Sequence, residues 1–133
     1  MAGAVYPLTL EKMWKGDIDA DAGTVKIVAV SSTYVYSAAH EFFDDVTGQL
    51  GNAATLTSKT FTAGVFDAAD LTVSGVTSGN TITAFIIYID TGSAATSPLL
   101  VFEDRRADTT PVNFAGNNLD INVSWPLGYI ATI

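Results

Sequence analysis

Residues Gly64 to Asp104 read GVFDAADLTVSGVTSGNTITAFIIYIDTGSAATSPLLVFED, and this stretch decides the fold. Short apolar runs are separated by Gly, Ser, Thr and Asn, with no helix-length periodicity between them, which is the pattern of antiparallel strands and their turns. Val73, Val76, the run Phe85 to Ile89 and the run Leu99 to Phe102 are the expected core. Phe85 to Ile89 is the most apolar of these and is expected at the centre of a sheet. Gly92 to Pro98 reads as a loop, and Ser78-Gly79-Asn80 as a hairpin turn.

Outward from this stretch the same grammar continues. Thr24 to Val30 is a strand that becomes apolar on both faces towards its end, as in a sheet interior. From Ala53 onward Thr and Ser alternate with Leu56, Phe61, Ala63 and Val65. Leu119-Asp120-Ile121-Asn122-Val123-Ser124-Trp125 alternates strictly, placing Leu119, Ile121, Val123 and Trp125 on one buried face. Pro126 should break that ladder, and Gly128 to Ile133 reads as a short last strand. Helical signals are few. Pro7 suits a first helical turn, Leu10, Met13 and Trp14 recur at i, i+3 and i+4, and Gly16 can end the helix. Ser37 to Phe43 reads as one or two further turns, with Ser37 as N-cap and Phe42 and Phe43 packed inward. The expected fold is mainly β: a single-domain antiparallel β-sandwich or partly closed barrel with one or two short helices, spanning residues 1–133, with residues 1–6 as a possible extended N-terminal arm.

Composition narrows the function. The 133 residues suffice for one hydrophobic core, and there is no cysteine for a disulfide or thiolate metal site. Charged residues make up 15%, well below the ~25% of an ordinary soluble domain, which fits either a surface partly covered by other subunits or an exterior rich in Thr, Ser and Asn. Fourteen acidic against six basic residues give a net charge of −8, which argues against nucleic acid and anionic membrane as partners. The N-terminal sequence has no basic region followed by an apolar one, so no secretory signal is expected.

Chemistry-bearing residues are sparse. Asp17, Asp19 and Asp21 open like a calcium loop, but Ala22 and Val28 stand where an EF-hand needs Gly and a bidentate Glu. They remain candidates only for a looser oxygen cage, a solvated turn being the plainer reading. His40 is the only histidine; Asp44 at i+4 and Ser37 at i−3 are its candidate partners, but no nucleophile elbow accompanies it. Asp67 and Asp70 are a carboxylate pair, more simply read as turn formers bonding their own backbone. Trp14 and Trp125 suggest a sugar platform, with core packing as the plainer account. No catalytic residue, resident metal or cofactor is expected. Ala2, Val5 and Tyr6 in the N-terminal arm are candidates for an interface, as are Arg105 and Arg106, whose guanidinium forks suit a neighbour's carboxylates.

The ordered segments YSAAHEFFDDV (Tyr36 to Val46), GVFDAADLTVSGV (Gly64 to Val76), FIIYIDTGSAATSPLLVFED (Phe85 to Asp104) and NNLDINVSWP (Asn117 to Pro126) resemble a family of small virion structural proteins of tailed bacteriophages. The resemblance runs from Tyr6-Pro7, where such proteins open a helix, nearly to the C-terminus. Its most specific piece is Ile87 to Gly92 followed by Thr96-Ser97. Arg105-Arg106-Ala107-Asp108 is more charged than the family pattern. The resemblance implies a non-enzymatic virion component made in the host bacterial cytoplasm. Its expected role is capsid decoration (cement) that binds and stabilises the shell of major capsid protein as a homo-oligomer, with three copies about a threefold axis. A tail, baseplate or fibre component, or a carbohydrate-binding module on the virion surface, are the alternatives.

Overall fold

The computed structural model describes residues 4–106, 108–118, 120–125 and 131–132. It is mainly β, with 40% strand and 12% helix, in a sandwich-like arrangement of antiparallel sheets. In chain order the elements are β1 (Ala4–Val5), α1 (Pro7–Trp14), β2 (Thr24–Val30), β3 (Gln49–Thr55), β4 (Thr60–Thr62), β5 (Val65–Asp67), β6 (Leu71–Val73), β7 (Thr81–Ile82), β8 (Ala84–Asp90), β9 (Leu99–Glu103), β10 (Phe114–Ala115), β11 (Ile121–Val123) and β12 (Ala131–Thr132). Single 3₁₀ turns lie at Phe43–Asp45 and Ala94–Thr96.

The main sheet has the order β1-β9-β8-β2-β3, which puts the Phe85 to Ile89 run in its middle strand. Strand alternation explains why β2 and β8 are apolar at consecutive positions: each faces a core on both sides. Val25, Ile27 and Ala29 of β2 and Phe85, Ile87 and Ile89 of β8 point into a larger core. Val28, Val30, Ala84, Ile86 and Tyr88 point into a second core on the opposite face. Three small antiparallel units, β6–β11, β7–β10 and β4–β5–β12, supply Phe66, Val73, Ile82, Ile121 and Val123 over the larger core. The second core is closed by Tyr6, Tyr34, Val46 and Leu99.

β9 carries a bulge. Ile87 faces Val101 but Tyr88 faces Leu99, so Leu100 is the extra residue. The bulge turns Leu100 and Val101 to the same core while Leu99 joins the other. Helix α1 follows β1 directly; buried Thr9 donates its hydroxyl to the Leu99 carbonyl, and Gly16 leaves the helix with φ +77°, as its sequence position predicts.

Several expectations need correction. No helix forms over Ser37 to Phe43. The Ser37 hydroxyl accepts the Ala39 N–H in a short turn, and the 3₁₀ turn comes later, where Asp45 accepts the Glu41 and Phe42 N–H groups at 2.8 and 3.2 Å. Asp45 thus caps the N–H groups at the start of the turn, where a negative charge is favourable. Phe43 does pack inward, stacked on Tyr88 at 4.0 Å, and Phe42 lies beneath the Lys12 ammonium. Ser78-Gly79 turns, but joins no hairpin, because β6 pairs with β11 and β7 with β10. The alternation at Ile121, Val123 and Trp125 holds, although the strand is only three residues long and those side chains are half-buried. Leu119, Pro126 and most of Gly128 to Ile133 lie outside the described residues.

Candidate interaction site

Among the described residues this packing leaves open an apolar groove of about 270 Å³ lined by Val5, Met13, Phe61, Val65, Phe66 and Val101, with Ala20 in its wall. The bulged β9 delivers Val101, and β1 lays Val5 directly opposite it. The other wall is the β4–β5 hairpin. Its two-residue turn has φ of +52° at Ala63 and +79° at Gly64, the backbone of a type I′ turn that matches strand twist. Phe61 and Phe66 face each other across this hairpin and stack at 4.6 Å, leaving Phe61 37% exposed. Trp14, next to the groove residue Met13, is 78% exposed. The sequence expectation of core packing therefore fails for Trp14, since the apolar stripe of so short a helix ends at Met13. It holds in part for Trp125, whose indole N–H reaches the Ala69 carbonyl at 3.4 Å.

The N-terminal interface candidates divide. Ala2 lies outside the described residues. Val5 is in an edge strand and lines the groove. Tyr6 is no interface residue: it is 0% exposed, because the chain turns inward after β1 and its ring joins the second core against Tyr36. Residues 4–6 are accordingly not a loose arm. Arg105 and Arg106 are exposed, but the Arg106 guanidinium sits over the Phe114 ring at 4.3 Å and Arg105 forms a bridge with Pro111. Arg106 is thus engaged within its own fold.

The polar candidates serve the framework. His40 Nδ1 is 2.8 Å from the Tyr34 hydroxyl, which in turn lies 2.7 Å from the Tyr6 hydroxyl. Neither Asp44 nor the Ser37 hydroxyl is its partner; the Ser37 carbonyl accepts the His40 N–H instead. Burial pushes both tyrosine hydroxyls above their ordinary titration range. The network ties the surface loop that carries Tyr34 and His40 to the second core through Tyr6. In the Asp17 to Asp21 loop, Asp19 accepts the N–H groups of Asp21 and Ala22, and Lys59 donates to the carbonyls of Ala20, Asp21 and Gly23. Among the described residues no three His, Asp or Glu side chains gather around a point that would hold a metal ion. Asp67 and Asp70 do not form the expected self-bonded turn. Asp67 ends β5 with one carboxylate oxygen buried, while Asp70 accepts the Trp125 N–H from across the β6–β11 ribbon. Glu103, which the sequence reading passed over, is fully buried with neither oxygen hydrogen-bonded, and burial pushes its carboxyl up to about 8.

Sequence reasoning missed most of the groove because its residues come from five separate segments. The local signal was Thr-Phe-Thr-Ala-Gly at residues 60–64, a phenylalanine before a two-residue turn on a strand too short to bury it. Comparisons with protein-family models, curated proteins and solved structures gave no match.

Proposed function

We propose that the chain is a non-enzymatic structural protein of a tailed-phage virion and, within that class, a capsid decoration protein. In this reading it binds neighbouring major capsid subunits of the assembled shell, as a trimer. The sequence resemblance supplies the class. The observation that carries a docking role is the disposition of side chains: His40, Asp19, Asp70 and Lys59 are tied to the protein's own chain, whereas the apolar groove is not covered by any described residue. A ligand that binds only the assembled shell stabilises it by mass action, by RT ln(1 + [L]/Kd). Three linked copies multiply weak contacts into avidity.

The test is to mix purified protein with undecorated shells and, separately, with free capsid subunits. Saturable binding to shells alone, together with a higher shell-disruption temperature, is the expected result. Equal binding to both, or to neither, rejects the role. Copy number separates a shell coat, with hundreds of copies, from a tail component, with about a dozen or fewer.

A carbohydrate-binding module is the second reading, favoured by one observation: Trp14 presents its indole to solvent, as a sugar platform does. Trp14→Ala should leave thermal stability unchanged. Loss of binding on a glycan array in that variant would favour the sugar reading over the shell.

A further inference from the structure

Two edge strands, β1 and β4, each place a residue in the lining of the same groove. Tyr6 N–H bonds to the Leu100 carbonyl at 3.0 Å, so in the β1–β9 ladder Tyr6 is hydrogen-bonded inward and its neighbour Val5 turns its N–H and C=O away from β9. In the β4–β5 hairpin the two-residue turn makes Thr62 and Val65 the closing hydrogen-bonded pair. The next residue, Phe61, therefore directs its N–H and C=O away from β5. Among the described residues no strand pairs with either outer edge. Val5 and Phe61 also line the groove with their side chains. An edge that offers backbone pairing beside a side-chain pocket is the arrangement by which an extended peptide is bound as an added strand. A void of about 270 Å³, against the ~150 Å³ that holds a benzene ring, has room for one large aromatic or two aliphatic side chains.

The rim gives the partner a charge. Ala20 forms part of the wall, and the loop around it carries Asp17, Asp19 and Asp21, none of them in an ion pair with a described Lys or Arg. A second copy of this chain fits poorly. It is itself acidic, and five of its six basic residues are engaged: Lys12 with Glu41, Lys15 with Glu11, Lys26 with Asp90, Lys59 with loop carbonyls and Arg106 on Phe114. We infer that this groove binds an extended segment of another protein by strand addition, seating a large apolar side chain that is flanked by lysine or arginine. The inference deepens the docking role proposed above, yet it does not require the partner to be a capsid shell.

A selection that needs no virion tests it. A library of random peptides about a dozen residues long is panned on the immobilised full chain, and recovered peptides are titrated against two variants. Val5→Pro removes the outward N–H while leaving the inward ladder bonds, and Asp17→Lys with Asp21→Lys reverses the rim; thermal unfolding confirms that each folds. Recovered sequences should carry an aromatic or large aliphatic residue between basic ones. Their affinity should fall by about tenfold or more in each variant, and bound peptide should slow amide exchange at Val5 or Phe61. Failure to enrich any sequence, enrichment without that pattern, or affinity unchanged in either folded variant overturns the inference. Failure on capsid shells with success here would reject only the decoration role.

Discussion

Glu103 stands directly opposite Phe85 in the β8–β9 ladder, 1% exposed, with neither carboxylate oxygen hydrogen-bonded. Desolvation raises its pKa from the ordinary 4.5 to about 8, and Asp104 next to it adds to the rise. Between those values the folded chain holds a proton that the unfolded chain has released. The folded state therefore binds more protons, and stability falls as pH rises from about 4.5 to about 8. Glu103→Gln keeps the shape and removes the titration. The variant should melt with the wild type at pH near 4.5 and several degrees above it at pH near 9. Thermal unfolding followed by circular dichroism at both values checks this. A variant destabilised equally at both would mean that the carboxylate is paired in the native state.

Gly51 is held where no other residue fits. The β2–β3 register slips between Ile27, opposite Ala54, and Ala29, opposite Leu50, so β3 bulges and Asn52 N–H bonds to the Ser74 carbonyl. At Gly51 φ is +71°, and a Cβ would lie 2.5 Å from that same carbonyl oxygen. Gly79 also has positive φ, but a Cβ there meets nothing within 4 Å. Gly79→Ala should cost about 1 kcal/mol from backbone strain alone. Gly51→Ala should cost more than about 2 kcal/mol, because the bulge must open as well. Urea unfolding of the two variants provides the comparison, and equal losses would contradict the bulge as the site of the constraint.

What the sequence made legible follows the range of the interactions involved. β2, β8 and β9 could be read because burial on both faces leaves a local mark, a continuous apolar run, and Pro7 and Gly16 mark α1 by local backbone chemistry. The Ser37 to Phe43 segment misled because its N-cap signal is real but is spent on a single turn, and Asp45 then claims the backbone donors at Glu41 and Phe42. Ser78-Gly79 turned as expected, but partner choice for β6 and β7 depends on β10 and β11, some 30 to 50 residues away. The groove was the least legible part. Val5 and Val101 meet only through long-range pairing, and nothing local distinguishes an edge that stays open from one that is covered.

The Tyr34 hydroxyl is the hinge of the Tyr6–Tyr34–His40 network. Tyr34→Phe leaves the Tyr6 hydroxyl, in a residue that is 0% exposed, without its partner, while half-exposed His40 can turn to water. An orphaned buried hydroxyl costs about 1–3 kcal/mol. Tyr6→Phe removes the other end of the same bond and leaves Tyr34 with His40, so it should cost about 1 kcal/mol. The double variant should be less destabilised than the sum of the two, since the bond is lost only once. Chemical denaturation of the four proteins completes this cycle, and strict additivity would dissolve the network.

Lys59, which immediately precedes β4, ties the acidic loop to the β4–β5 hairpin. Its ammonium has three donors, and all three are used, on the carbonyls of Ala20, Asp21 and Gly23. A single charge thus sets the path of a loop that also carries three aspartates and walls the groove at Ala20. Lys59→Met keeps the stem and removes the donors, and a hydrogen bond from a charged group is worth about 1.5–3 kcal/mol, less where water can replace it. The expected stability loss is at the lower end of that range, because Asp21 and Ala22 are exposed. Amide exchange gives the sharper reading. The Gly23 N–H, bonded to the Asp19 carbonyl, and the Ala22 N–H, bonded to the Asp19 carboxylate, should exchange faster in the variant, while amides in β8 keep their protection. Unchanged exchange at Ala22 and Gly23 would show that Asp19 alone fixes the loop.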